Sequence, residues 1–230
     1  VEIYGDIGVA SVGNTVDLYI DNAADFIFMG QTYGYGVQIS SIASYDAAGE
    51  GITATLAAAD FTIDMDKSAT PSKDVKGGDE NVVLATISLT SNGENATVND
   101  ITDTSGSDGD FYIQGTGLTI TEADNFELRD VDSGVLYDIT ETVSTTLAGW
   151  TLAMADEISL TAGVTKTFEL RVDLAGANDS TPIDDGDTLK VYLEDGAMNI
   201  TGDESDATIT DITPSSVSGA TATVRDGSLN

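Results

Sequence analysis

Apolar and polar residues alternate with a period of two along most of this chain. Phe168, Leu170, Val172 and Leu174 are separated by Glu169, Arg171 and Asp173, and Leu189, Val191 and Leu193 by Lys190 and Tyr192. Val83, Ala85, Ile87 and Leu89 share one parity, as do Trp150, Leu152 and Met154, and Val135 and Tyr137 fall in a further candidate strand. Successive side chains of a strand point to opposite faces, so the pattern predicts half-buried strands with one face to a core and one to water. Clusters of Gly, Asn, Asp and Ser separate the runs, at 91–95, 105–110, 132–134 and 184–187, and these residue types supply turn geometry. Helical periodicity is weak: the best candidates, 21–26 and 121–125, are long enough only for loops or single helical turns. Short strands at intervals of about 8–12 residues with Gly/Asp turns predict an all-β fold of antiparallel sandwich type, with Trp150 in its core.

The beginning of the chain resembles its end. Val1-Glu2-Ile3 aligns with Phe168-Glu169-Leu170. Gly13-Asn14-Thr15-Val16-Asp17-Leu18 then aligns with Gly186-Asp187-Thr188-Leu189-Lys190-Val191, and Gly51-Ile52-Thr53-Ala54-Thr55-Leu56 with Gly219-Ala220-Thr221-Ala222-Thr223-Val224. A period of roughly 170 residues is that of a domain, not of a solenoid unit. The expected organisation is therefore one partial and one complete copy. Residues 1–57 are the closing strands of a preceding sandwich repeat, or a strand-exchange segment. Residues 58–230 are a complete sandwich, opening with a strand at 60–65 and running into the start of the next linker. A few strands leave a sheet face bare, so 1–57 is expected to be covered by further chain, by the full domain, or by a neighbouring molecule through strand addition.

Charge sharpens this picture. Forty Asp and Glu stand against eight Lys and Arg, a formal charge of −32, and the first basic residue is Lys67. Nucleic-acid binding is disfavoured because phosphate contacts need clustered Lys or Arg, and anionic lipid surfaces are disfavoured for the same reason. No apolar run approaches the roughly 20 residues of a membrane span. Hydrophobic residues make up 40% of the chain, enough for a packed core despite the charge. Histidine and cysteine are both absent, which removes His-based triads, thiolate nucleophiles and the usual zinc sites. Among forty acids a chance carboxylate pair is nearly certain, so glycosidase-like pairing carries no weight, and no enzymatic role is expected.

Two stretches identify a family resemblance. Residues 77–91 (GGDENVVLATISLTS) with Ala96-Thr97-Val98-Asn99-Asp100-Ile101, and residues 163–173 (GVTKTFELRVD), resemble tandem Ig-like β-sandwich repeats of prokaryotic cell-surface proteins, such as S-layer-like proteins, adhesins and appendage subunits. The resemblance spans most of 58–224 and describes strand and turn chemistry. It implies an Ig-like topology, an extracellular or cell-surface location, and a structural role as a self-assembling homopolymer. The alternative it leaves open is a monomeric adhesin or carbohydrate-binding module with glycan partners.

Three acidic clusters are candidate calcium loops: Asp103, Ser105, Asp108 and Asp110; Asp179 with Asp184, Asp185 and Asp187; and Asp203 with Asp206. Calcium takes six to eight oxygen ligands, which carboxylates and carbonyls around glycines can supply. The same residues also serve as ordinary turn formers on a solvated surface. None fits the EF-hand spacing. Tyr33 and Tyr35, with Phe26 and Phe28, lie about the Gly-rich stretch 30–36, which has no counterpart in the C-terminal copy, and are the candidate interface residues. Asn95, Asn178 and Asn199 occupy N-x-[ST] sequons, the acceptor pattern for glycosylation.

Overall fold

The computed structural model describes residues 15–18, 28–37, 52–55, 59–102, 111–117, 122–143, 149–176, 178–179 and 182–225. The chain divides into two compact units, Val1–Ala58 and Ala59–Asn230. In the first, strands β1 (Thr15–Leu18), β2 (Phe28–Met29), β3 (Gly36–Val37) and β4 (Ile52–Thr55) form two antiparallel pairs, β1 with β4 and β2 with β3.

The second unit is all-β. Its first strands are β5 (Asp60–Met65), β6 (Lys73–Val75), β7 (Val82–Asn92), β8 (Ala96–Ile101), β9 (Phe111–Gln114), β10 (Ala123–Asp130), β11 (Leu136–Asp138) and β12 (Thr140–Val143). The chain continues through β13 (Gly149–Ala153), β14 (Ile158–Leu160), β15 (Thr165–Leu174), β16 (Thr188–Glu194), β17 (Met198–Gly202), β18 (Asp211–Thr213), β19 (Ser216–Ser218) and β20 (Ala222–Val224). One sheet has the order β11-β10-β15-β7-β5-β18, and a second the order β12-β13-β9-β16-β20-β6 with β19 also on β16. A third, β14-β8-β17, has three strands.

The inner faces of these sheets meet in one apolar cluster. Phe61, Ile63, Ile87, Leu89, Phe126, Leu128, Phe168 and Leu170 come from the first sheet, and Phe111, Ile113, Trp150, Leu152, Leu189 and Val191 from the second. Val98, Ile158 and Ile200 carry the third sheet into the same core. Trp150 is buried, and its ring packs on Phe126 across the two large sheets, 5.8 Å between centroids. Two sheets with apolar inner faces packed on each other form a sandwich.

Three local expectations are corrected. Residues 123–125 open strand β10 instead of a helical turn, with Asn125 at φ 52 inside a register irregularity between Asp124 and Glu127. The burial gained by Ala123, Phe126 and Leu128 outweighs the weak helical periodicity of 121–125. Second, the pairings β18–β5 and β20–β6 are parallel, so the sheets are mixed, and alternation of side chains carries no information on strand direction. Third, Val83 leaves the parity of Ala85. A bulge sets Ala85 opposite Leu170 but Val83 opposite Arg171, and the extra residue, Leu84, goes into the core. Residues 21–26, the other helical candidate, lie outside the described residues.

The two units share a pairing register. Thr15 faces Thr55 and Val16 faces Ala54 in the first, while Thr188 faces Thr223 and Leu189 faces Ala222 in the second. These are the residues that the sequence alignment equates. Their surroundings differ: Leu189 is 1% exposed and Val16 is 43% exposed. Leu189→Ala should therefore destabilise the second unit by about 2–5 kcal/mol, read as an earlier urea transition of Trp150 fluorescence. Val16→Ala should leave that transition unmoved, and a reversed order would overturn this placement of the core.

Candidate functional site

The acidic turns are built by carboxylates that accept backbone N–H groups. At the turn after β17, the Glu94 carboxylate accepts the N–H of Glu204 (3.0 Å) and of Ser205 (2.8 Å), and the Ser205 hydroxyl (2.7 Å). Glu204 answers by accepting both the backbone N–H and the side-chain amide of Asn95, each at 3.1 Å. Asp203 accepts the Thr97 hydroxyl at 2.9 Å, and Asp206 turns the chain at φ 53 with its N–H on the Gly202 carbonyl. A Cβ at Gly202 would collide with the Glu94 carboxyl, so a larger residue there would force that carboxyl to shift from its place in the clasp.

The 178–187 segment follows the same rule. Asp179 accepts the Gly176 N–H at 2.5 Å and Asp187 the Asp184 N–H at 3.0 Å. Asp184 and Asp185 are exposed, whereas Asp187 is only 7% exposed. Burial pushes the Asp187 carboxyl above its ordinary value, against the Asp184 N–H bond, and the Glu122 and Asp184 carboxylates push it further. A Cβ at Gly117 would strike the Asp187 carboxyl, so that glycine makes the close approach possible.

Among the described residues no group of three or more Asp or Glu side chains is placed to hold a metal ion. Asp103, Ser105, Asp108 and Asp110 lie outside the described residues. Phe26 does too, and so does the side chain of Phe28, whose backbone is in β2. Tyr33 and Tyr35 sit at the tip of the β2–β3 hairpin, closed by the Gly30 N–H on the Tyr35 carbonyl (2.9 Å), and are 80% and 78% exposed. Of the sequon residues, Asn178 and Asn199 are exposed, with the Asn199 amide on Asp100 at 3.0 Å. Asn95 is half-buried, with its amide donating to Glu204 and accepting the Ala162 N–H at 2.9 Å.

A concavity that sequence patterns did not reveal lies on the outer side of the β7–β15 pair, with a volume of about 380 Å³. Pro71, Val83 and Val131 form its apolar wall, and Lys73, Thr70, Thr86, Thr167 and Glu169 its polar one. The Thr70 and Thr86 hydroxyls are buried and bonded to each other at 2.7 Å. Glu169 is held by Arg171 and by Arg129, the latter at 3.5 Å. The walls come from the β5–β6 loop, β6, β7, the turn after β10, and β15, so no local motif announces them.

The turn carboxylates set two expectations. Glu94→Ala leaves three donors without their acceptor and should cost about 1–3 kcal/mol by chemical denaturation, whereas Glu157→Ala on the exposed surface should be near neutral. The second concerns pH. Asp66 lies below its ordinary value through bonds from the Ser68 hydroxyl and the Ser68 and Ala69 N–H groups. Asp130 does so because bonds from Ser133 and Asp132, with Lys166, outweigh its burial. Stability from these two is complete above the ordinary carboxylate range and is lost as pH falls through their lowered values. Asp187 has the opposite sign: its ionisation opposes folding, and that penalty is relieved as pH falls through its raised value. Thermal melts between about pH 2 and pH 7 should show a flatter acid limb for Asp130→Asn and a higher neutral-pH Tm for Asp187→Asn.

No protein-family model matches this chain, and no curated protein matches it either; its function has to be drawn from its own residues.

Proposed function

We propose that this chain is a structural subunit of an extracellular polymeric surface assembly, a filament, pilus-like appendage or S-layer of Ig-like modules. The observation that carries this is the shared register of the two units, Thr15–Thr55 and Val16–Ala54 against Thr188–Thr223 and Leu189–Ala222. A module repeated along one chain is the ordinary basis of an extended scaffold. With no histidine or cysteine, the role is architectural and not catalytic. The contacts are edge-strand backbones and the exposed Tyr33–Tyr35 hairpin tip, whose aromatic rings offer apolar area with a polar end. At −32 copies repel one another, and assembly needs compensation from cations such as calcium, from large apolar burial or from strand exchange.

A second reading, a monomeric adhesin or carbohydrate-binding module, is favoured by the cavity beside Thr70, Thr86 and Thr167, whose size falls in the range of small-molecule sites. Negative-stain microscopy in millimolar calcium, repeated after chelation, separates the two. Ordered filaments or sheets that loosen on chelation, and that weaken in Tyr33→Ser/Tyr35→Ser, support assembly with calcium. Order that survives chelation retains the assembly and removes calcium as its clamp. Dispersed particles in both conditions rule the assembly out.

A further inference from the structure

Positive charge is the scarce commodity of this molecule, with eight Lys and Arg among 230 residues, and its placement is therefore informative. Arg129 and Arg171 both converge on Glu169, leaving that trio with a net charge of +1. Lys73 stands in the same concavity and is half-buried. Like Lys67, Lys76 and Lys190 it makes no ion pair among the described residues, and of these four it alone lines the concavity. Burial lowers the affinity of its amine for a proton, with Asp79 and Glu169 acting in the other direction from beyond ion-pair distance.

The hydroxyls add a donor. Thr70 and Thr86 bond to each other; one hydroxyl hydrogen is used in that bond, and the second remains for another acceptor. The site thus offers an ammonium group and an O–H beside an apolar wall of Pro71, Val83 and Val131. Distant carboxylates do not cancel this locally, because the Debye length is about 8 Å at physiological ionic strength.

We propose that this cavity binds a small carboxylate, with Lys73 neutralising its charge, a Thr70/Thr86 hydroxyl donating to an oxygen, and the Pro71–Val83–Val131 wall covering its apolar part. The carboxylate comes either from a free acid of uronic-acid size or from an Asp or Glu side chain of a second copy. The site is independent of whether the chain polymerises.

Titrating the full chain with glucuronate, followed by NMR or calorimetry, tests the first source. Saturable binding is expected with a Kd near the millimolar range, absent for glucose, weakened at least about tenfold in Lys73→Gln and retained in Lys73→Arg. Sedimentation velocity tests the second: self-association that is lost in Lys73→Gln, kept in Lys73→Arg and competed by glucuronate assigns the acid to another copy. Circular dichroism of both variants establishes that they are folded. Absence of both effects in the wild-type chain, or effects indifferent to Lys73→Gln, would falsify the site.

Discussion

The bond on which this molecule most depends runs from a carboxylate to a backbone N–H. Eight cations cannot pair with forty acids, so the fold gives many acids a different partner. Asp66 accepts Ser68 and Ala69, Asp79 accepts Lys76, Asp130 accepts Asp132 and Ser133, and Asp173 accepts Asn81. Asp179 and Asp187 do the same across three positions, and Glu94 and Glu204 between distant segments. Turns leave N–H groups that no ladder satisfies, and an ionised acceptor makes a stronger bond than a neutral one. The acidity of the chain and its wealth of short turns are in this respect one property.

That property explains why the sheets hold together with so few ion pairs. The strands provide the apolar faces, from Phe61 in β5 to Leu193 in β16, while the carboxylates fix where each strand stops and reverses. The clasp of Glu94 and Glu204 joins segments 110 positions apart, and Asn95 extends it to Ala162. Removing the acid from such a turn frees donors without giving them water-side geometry of equal quality. Asp187 marks the limit of the arrangement: with Glu122 and Asp184 nearby, burial makes its own charge unfavourable.

Much of the fold is legible in the sequence because burial in a sheet writes itself at period two. The strand at 60–65 coincides with β5, Trp150 is in the core, and the parity of Phe168 to Leu174 matches their burial. Legibility ends where information is not local. The bulge that turns Val83 outward depends on β15, and the parallel course of β18 and β20 depends on where the chain returns. The acidic turns were visible as turns, but Asp beside Gly reads equally as a cap and as a metal ligand. Only the partners, such as Glu94 with Ser205, distinguish the uses. The Lys73 cavity had no signal at all, since its walls lie on separate strands.

The repeated register gives the charge imbalance a further meaning. Val16 and Leu189 hold the same place in the ladder, yet one is exposed and the other is enclosed in the core of the sandwich. Backbone pairing in this register is therefore separable from the burial that stabilises it. Strand pairing is carried by neutral dipoles, but strands that meet lie within the Debye length of about 8 Å at physiological salt, so carboxylates beside an edge still weigh against pairing. A strongly acidic surface suppresses non-specific collapse between copies, so contacts persist only where local pairing or burial outweighs the repulsion. For a chain of this composition, attraction has to be confined to a few places: open strand edges, the Tyr33–Tyr35 tip, and a site such as the concavity that Lys73 lines.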